Sequence, residues 1–350
     1  MKGKLKLLVG VLLAAVLLYF FLRSTNWTEV TKNMGAANPW LLVLVVLLQP
    51  LLFLLRAVRW QCFLAPIKRI PIPPLMSSMM IGFMISFLFP GRLGEIVRPV
   101  LLGIREKISK TSAFATVVLE RIVDTLAILV LLQVYYLFEA YVPRRGSEVM
   151  LSAIQRVGLI ILAITVAAVA AIVLLKRRGD LARRLFGRIA SVLPERLHRR
   201  VDHFLQSFVA GLNVYHDFRT FILIGFYSLA LWTGICTSIW ICIRAFGIDL
   251  PFLLTFPVQA ILVLGVAIPT PGMVGGFHAS MKIGLVQLWG VDPSLAVSTT
   301  IVLHALLVLP TIVMGLYYAW REGFSISQVR ELGQRESGLG EDQANGPTDT

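Results

Sequence analysis

Pro90-Gly91-Arg92-Leu93-Gly94 and Pro271-Gly272-Met273-Val274-Gly275 share one pattern, Pro-Gly-x-x-Gly, and each cuts an apolar run whose composition suits a membrane. A long apolar segment with an ionisable residue in it follows each break. The first reads Thr116-Val117-Val118-Leu119-Glu120 and the second Thr300-Ile301-Val302-Leu303-His304. Broken hydrophobic segments at matching places in two halves of a chain point to a binding site near the bilayer midplane.

Hydrophobic residues make up 57% of the chain and the mean hydropathy is +0.79, which defines an integral membrane protein. Several apolar runs exceed the roughly 18 residues that mark a spanning helix. The formal charge of +14 is no sign of nucleic acid, because the basic residues sit mainly between the apolar runs, where they set topology. Cys62, Cys236 and Cys242 lie in or beside apolar segments, without metal or redox spacing. No metal or other cofactor is expected.

The pattern predicts an all-α integral membrane protein with six transmembrane helices and two re-entrant broken-helix hairpins. The spans fall near 5–22, 40–64, 112–138, 157–175, 221–243 and 295–320. The N-terminal run has no small-residue cleavage pattern after it and reads as an uncleaved first span. The hairpins cover 75–104 and 251–289, each arm being short for a span. Segment 176–219 holds ten Lys and Arg against four Asp and Glu, which places it on the cytoplasmic side. Within it Leu197, Val201, Phe204, Leu205, Phe208 and Leu212 recur at helical spacing, as in an amphipathic helix on the inner leaflet or against the bundle end. Both termini are then cytoplasmic, in a multi-pass protein of the cytoplasmic membrane. Arg144 and Arg145 fall on the outer side in this topology. The membrane domain covers 1–325 and a polar, disordered tail covers 326–350. The two copies enter from opposite faces and make an inverted repeat; chance likeness between leucine-rich segments is the competing explanation.

Phe89-Pro90-Gly91-Arg92-Leu93-Gly94-Glu95-Ile96-Val97-Arg98-Pro99, Val118-Leu119-Glu120-Arg121-Ile122-Val123-Asp124 and Pro269-Thr270-Pro271-Gly272-Met273-Val274-Gly275 carry a further signal. They resemble the flippase-like family named for the transmembrane region of lysylphosphatidylglycerol synthase. The likeness spans about 5–325. Only a short tail follows residue 320, where the bifunctional synthase would continue into an aminoacyl-transfer domain. The resemblance implies a membrane protein that binds or flips a polar lipid, transporter-like rather than catalytic, with no catalytic residue assigned.

The charged residues open several readings. Arg92, Glu95 and Arg98 follow the first break at spacings of three, so a helix starting near Leu93 would gather them on one side. A helix N-terminus and two arginines suit a phosphate, with Pro90, Gly91, Gly94, Pro271, Gly272 and Gly275 letting a headgroup approach the backbone. The alternative is an internal ion-pair network that fixes the hairpin. Glu120 and Asp124, four apart with Arg121 beside them, serve as counter-charges, as proton carriers or as acid/base groups. His278 and His304 are read as charge-balancing or proton-coupling residues, or as packing histidines. Arg56, Arg59 and Arg244 sit near span ends, where side chains snorkel to headgroups.

The function expected is a lipid flippase or lipid-binding protein for an anionic phospholipid or polyprenyl phosphate of the envelope, with no nucleic-acid partner. The protein partner expected is a second copy of the chain, in a homo-oligomer, or an envelope-lipid enzyme. The alternatives are a membrane-embedded transferase on a lipid phosphate and a non-catalytic scaffold for an envelope-lipid enzyme. No nucleotide-binding loop or HExxH supports the transferase.

Overall fold

The structure is a computed structural model that describes residues 12, 15–19, 21–22, 25–89, 92–143, 146–177, 218–268 and 270–323. Pro90, Gly91, Pro269, Arg144, Arg145, nearly all of the basic segment 176–219 with its amphipathic helix, and the tail 326–350 lie outside the described residues. All regular structure among the described residues is helical.

Among the described residues, ten α-helices carry the fold: α1 (Trp27–Ala36), α2 (Pro39–Leu64), α3 (Ile72–Leu88), α4 (Gly94–Glu106), α5 (Lys110–Phe138), α6 (Glu148–Arg177), α7 (Phe218–Ala245), α8 (Thr255–Val266), α9 (Gly276–Trp289) and α10 (Pro293–Arg321). Local chemistry sets several starts. Asn26, Asn38 and Asp292 cap α1, α2 and α10 by accepting backbone N–H bonds, and Pro39 and Pro293 occupy first-turn positions where a missing donor costs nothing.

Among the described residues, the helices long and apolar enough to cross a membrane are α2, α6, α7 and α10. α5 has the length, at 29 residues or about 43 Å, but carries Glu120, Arg121 and Asp124. Of the first expected span, residues 15–19 and 21–22 are helical, and Phe21 is buried against Val30 and Val297. The arms α3, α4, α8 and α9 hold 17, 13, 12 and 14 residues. They are therefore about 18–26 Å long, short of a hydrocarbon core of roughly 30 Å.

Each hairpin closes on a pair of glycines. A Cβ on Gly94 would lie 1.7 Å from the Gly82 carbonyl oxygen, and one on Gly276 would lie 2.2 Å from that of Gly265. Both crossings therefore require a bare backbone. At the mouth of the first hairpin, Lys68 Nζ donates to the Glu106 carbonyl at 2.9 Å and to its carboxylate at 2.8 Å. Both ends of that hairpin thus return to one face of the bundle. The second hairpin opens on the other face, where the Ser147 amide donates to the Gln287 carbonyl at 2.7 Å.

The packing pairs the two halves reciprocally. α2 packs on α7, α5 on α8, α10 on α3, and each hairpin closes against its own following long helix. α2 and α7 run antiparallel: the Asn38 amide meets the Ala245 carbonyl at 2.8 Å at one end, and Arg59 meets Ser228 at 3.1 Å toward the other. Equivalent helices that run in opposite directions define an inverted repeat. The breaks agree in detail, because Arg92 and Met273, each the third residue of its Pro-Gly-x-x-Gly, both take positive φ (54° and 58°).

Gly94→Ala is expected to lower stability by at least about 1–3 kcal/mol, since the methyl has no room at the crossing. Gly35→Ala, with open space around it, should stay within about 0.5 kcal/mol. Thermal unfolding of the purified protein in detergent checks both.

Candidate functional site

Behind the first hairpin, α2, α4, α5 and α7 bring together one buried ionic cluster. Glu120 is ten residues into α5, about 15 Å from that helix's start, so its carboxylate lies within the apolar slab. It accepts from Arg59 at 2.9 Å and from Arg121 at 3.0 Å on one oxygen, and from Arg98 at 2.5 Å on the other. Asp124, one turn on, pairs with Arg59 and, at 3.0 Å, with Arg121. The Trp232 indole donates to the same Asp124 oxygen that Arg59 uses, at 2.8 Å. Ser228 on α7 accepts from Arg59 at 3.1 Å. The Arg98 guanidinium lies 4.2 Å over the Trp60 ring, whose N–H donates to Thr116 at 3.0 Å.

Arg59 and Glu120 are 0% exposed, and Arg98 and Asp124 are nearly as buried. Ions this deep persist only when each is paired and hydrogen-bonded. The cluster thus binds four helices from both repeats into one frame.

Three arginines stand at its open edge. Arg121 is 37% exposed although it also reaches both carboxylates. Arg92 faces Glu95 at 3.5 Å, with both side chains about one-third exposed. Arg56, one turn before Arg59, has its guanidinium 5.2 Å over Phe83 and makes no ion pair among the described residues. Among the described residues, Arg59, Arg98 and Arg121 therefore share two carboxylates, Glu120 and Asp124, Arg56 beside them has none, and Glu95 balances Arg92.

The structure divides the expected first-break residues into two groups. Arg98 is held by Glu120 and Trp60 inside the frame, whereas Arg92 and Glu95 stay at the accessible edge. The amides of Glu95, Ile96 and Val97 are taken by the carbonyls of Arg92 and Leu93, so the expected anion cradle at the start of α4 is closed at those positions. Arg59, read as a snorkelling residue, is instead the centre of the cluster. A charge only five residues from the end of α2 suggests a route to water, and nothing in the local sequence marks the helix that covers it. Arg244, also read as snorkelling, pairs with exposed Asp249 and lies over Trp240.

The second break carries a smaller polar group. His304 Nε2 lies 3.0 Å from the Gly272 carbonyl. A carbonyl only accepts, so that nitrogen holds the proton. The His278 ring lies tilted against His304 with centroids 4.6 Å apart and meets Phe21 edge-on at 5.1 Å. His278 Nδ1 is buried without a partner among the described residues. Lys282 turns to the Phe21 carbonyl at 2.8 Å. Arg98–Glu120 links α4 to α5, and His278–His304 links α9 to α10 in the equivalent place. The two tips meet: a Cβ on Gly272 would stand 3.5 Å from the Phe87 carbonyl oxygen. Pro271 and Gly272 lie in one 3-10 turn there, and Gly275 holds φ 88° at the start of α9.

The chain belongs to the family of the lysylphosphatidylglycerol synthase transmembrane region, which it matches over residues 7–315. Among curated relatives, it is 25% identical to a UPF0104 membrane protein of Methanothermobacter thermautotrophicus, over 86% of this chain and 90% of that one. A UPF0104 membrane protein of Pyrococcus horikoshii is 24% identical, over 86% and 91%. The glycosyltransferase AglD of Haloferax volcanii is 25% identical over 89% of this chain, which spans 54% of AglD. No solved structure matches.

Arg59→Met is expected to cost about 3–5 kcal/mol, because two buried carboxylates lose a shared partner. Arg59→Met with Asp124→Asn should recover part of that loss, with a coupling of at least about 0.5 kcal/mol. Denaturant unfolding of the single and double variants measures it; strict additivity would contradict the cluster.

Proposed function

We propose that this multi-pass membrane protein binds an anionic, phosphate-bearing lipid of the cell envelope and carries its headgroup through the bilayer. The observation that supports this most is the surplus of guanidinium at membrane depth. Three arginines share two carboxylates with a fourth, Arg56, beside them, and Arg56, Arg92 and Arg121 stand at the accessible edge next to the hairpin break. Guanidinium recognises phosphate through paired, charge-assisted hydrogen bonds. Charged groups inside a membrane mark substrate pathways more often than they serve packing alone.

In this reading Arg59, Arg98, Glu120 and Asp124 form the fixed frame, and Arg56, Arg92 and Arg121 receive the phosphate. The inverted repeat and the meeting of the hairpin tips suit alternating access around a central site. The ligand is an anionic phospholipid or a polyprenyl phosphate. Lys68, Arg69, Arg105, Lys107, Lys110 and Arg321 gather at the face where the first hairpin opens, and the positive-inside rule makes that face cytoplasmic. The protein then sits in the cytoplasmic membrane with both termini inside.

A transferase acting on a lipid phosphate is the second reading, favoured by the name of the glycosyltransferase relative. The engagement of Glu120, Asp124 and Glu95 by arginines weighs against it, since a general base needs a carboxylate free to take a proton. Product formed by the purified protein from a lipid phosphate and a sugar donor would reverse that preference.

In proteoliposomes with fluorescent phosphatidylglycerol, Arg56→Gln and Arg121→Gln should each slow translocation about tenfold, the loss of roughly one charge-assisted contact. Wild-type rates in the Arg56→Gln/Arg92→Gln/Arg121→Gln triple variant would contradict the headgroup role.

A further inference from the structure

The two seams between the repeats are built differently. Where α10 meets α3, the helices close tightly at Gly315: a Cβ there would stand 2.4 Å from that of Met84 and 2.8 Å from the Met80 carbonyl oxygen. Where α5 meets α8, the equivalent seam is open. A groove of about 260 Å³ runs between α5, α6 and α8, lined almost wholly by apolar side chains. Its rim reaches lipid, for Val157 and Leu264 beside it are 42% and 51% exposed.

The groove begins at Thr125, one helical turn along α5 from Arg121. Its α5 wall is Thr125, Ile128, Leu129 and Leu132, which share one helical stripe with Arg121 at spacings of four, three, one and three. Glu120 and Asp124 point from α5 into the ionic frame, and Arg121 stands between that frame and the groove. A ligand with its phosphate at Arg121 would find apolar wall directly along the same helix. The eleven residues from Arg121 to Leu132 rise about 16 Å, half of a hydrocarbon core of roughly 30 Å. That is the reach of one acyl chain through one leaflet.

Building on the headgroup reading, we infer that the open α5–α6–α8 groove is the tail site of the transported lipid. It holds one hydrocarbon chain of the molecule whose phosphate is bound at Arg121. The chain extends from Arg121 toward the face where the second hairpin opens. Polar and apolar parts of the lipid are then held by one helix, and the tail need not leave the seam while the head moves. At Gly315 the α10–α3 seam has no room for an equivalent groove, so the tail site is not repeated at that point of the inverted repeat.

Photo-crosslinking in nanodiscs of phosphatidylcholine tests this with three probes. One is phosphatidic acid with a diazirine midway along an acyl chain, another is phosphatidylcholine with the same tail label, and the third is phosphatidic acid labelled at the headgroup. The expected result is that tail-labelled phosphatidic acid marks α5 near Leu129 and α6 near Ala153. Unlabelled phosphatidic acid should compete, and Arg121→Gln should reduce the labelling about tenfold, the loss of roughly one charge-assisted contact. Equal labelling of the groove by both tail probes, indifferent to Arg121→Gln, would show ordinary bilayer lipid there and overturn the inference. Headgroup labelling at Arg121 with tail labelling away from the groove would overturn the tail site and leave the headgroup reading standing. No preference for phosphatidic acid with any probe would overturn both. The wild-type pattern alone discriminates these outcomes, whatever Arg121→Gln does to folding.

Discussion

Glu120 is the charge around which the described helices are arranged. Its two oxygens are held by arginines from three helices, with no exposure to solvent. Within hydrocarbon, one ion without a partner is a cost of several kcal/mol, so α2, α4 and α5 are bound to this geometry together. Asp124, Ser228 and Trp232 extend the same constraint to α7. The apolar residues choose helices and membrane; the ions choose which helices meet.

That constraint explains why the first hairpin can be broken at depth. A chain reversal inside the bilayer leaves backbone groups in need of partners, and it survives only where protein surrounds it. Gly82 and Gly94 bring the arms into backbone contact, and Arg98 on the second arm reaches Glu120 on the next helix. The second hairpin uses the same Gly–Gly crossing with a milder pair, His278 and His304, and His304 holds the break itself through the Gly272 carbonyl. One architecture thus holds its first break with an ion pair and its second with two imidazoles. The seams differ too: a groove lies beside α5 and α8, while α10 and α3 touch closely at Gly315.

Much of this was legible in residue order. The two Pro-Gly-x-x-Gly breaks gave both hairpins, and the segment containing Glu120 and its counterpart containing His304 gave the repeat. Inversion followed from counting spans between them, and the antiparallel packing of α2 on α7 agrees. Pairing was less legible. Arg92, Glu95 and Arg98 look like one unit by spacing, yet the turn before α4 holds Arg92 at positive φ while the helix carries Arg98 into the core. Arg59 was misplaced because its nearness to a helix end is visible and the α7 surface that buries it, 169 residues away at Ser228, is not. The groove left no signal at all, because apolar residues facing a cavity and apolar residues facing lipid have the same composition.

Native mass spectrometry of the protein extracted gently from its own membranes is the most direct test of an anionic-lipid site within the bundle. The account predicts retention of one phosphate-bearing anionic lipid, enriched over its share of the membrane and lost from the Arg56→Gln/Arg121→Gln variant. Retained lipids that only mirror the bulk membrane, unchanged in that variant, would contradict it.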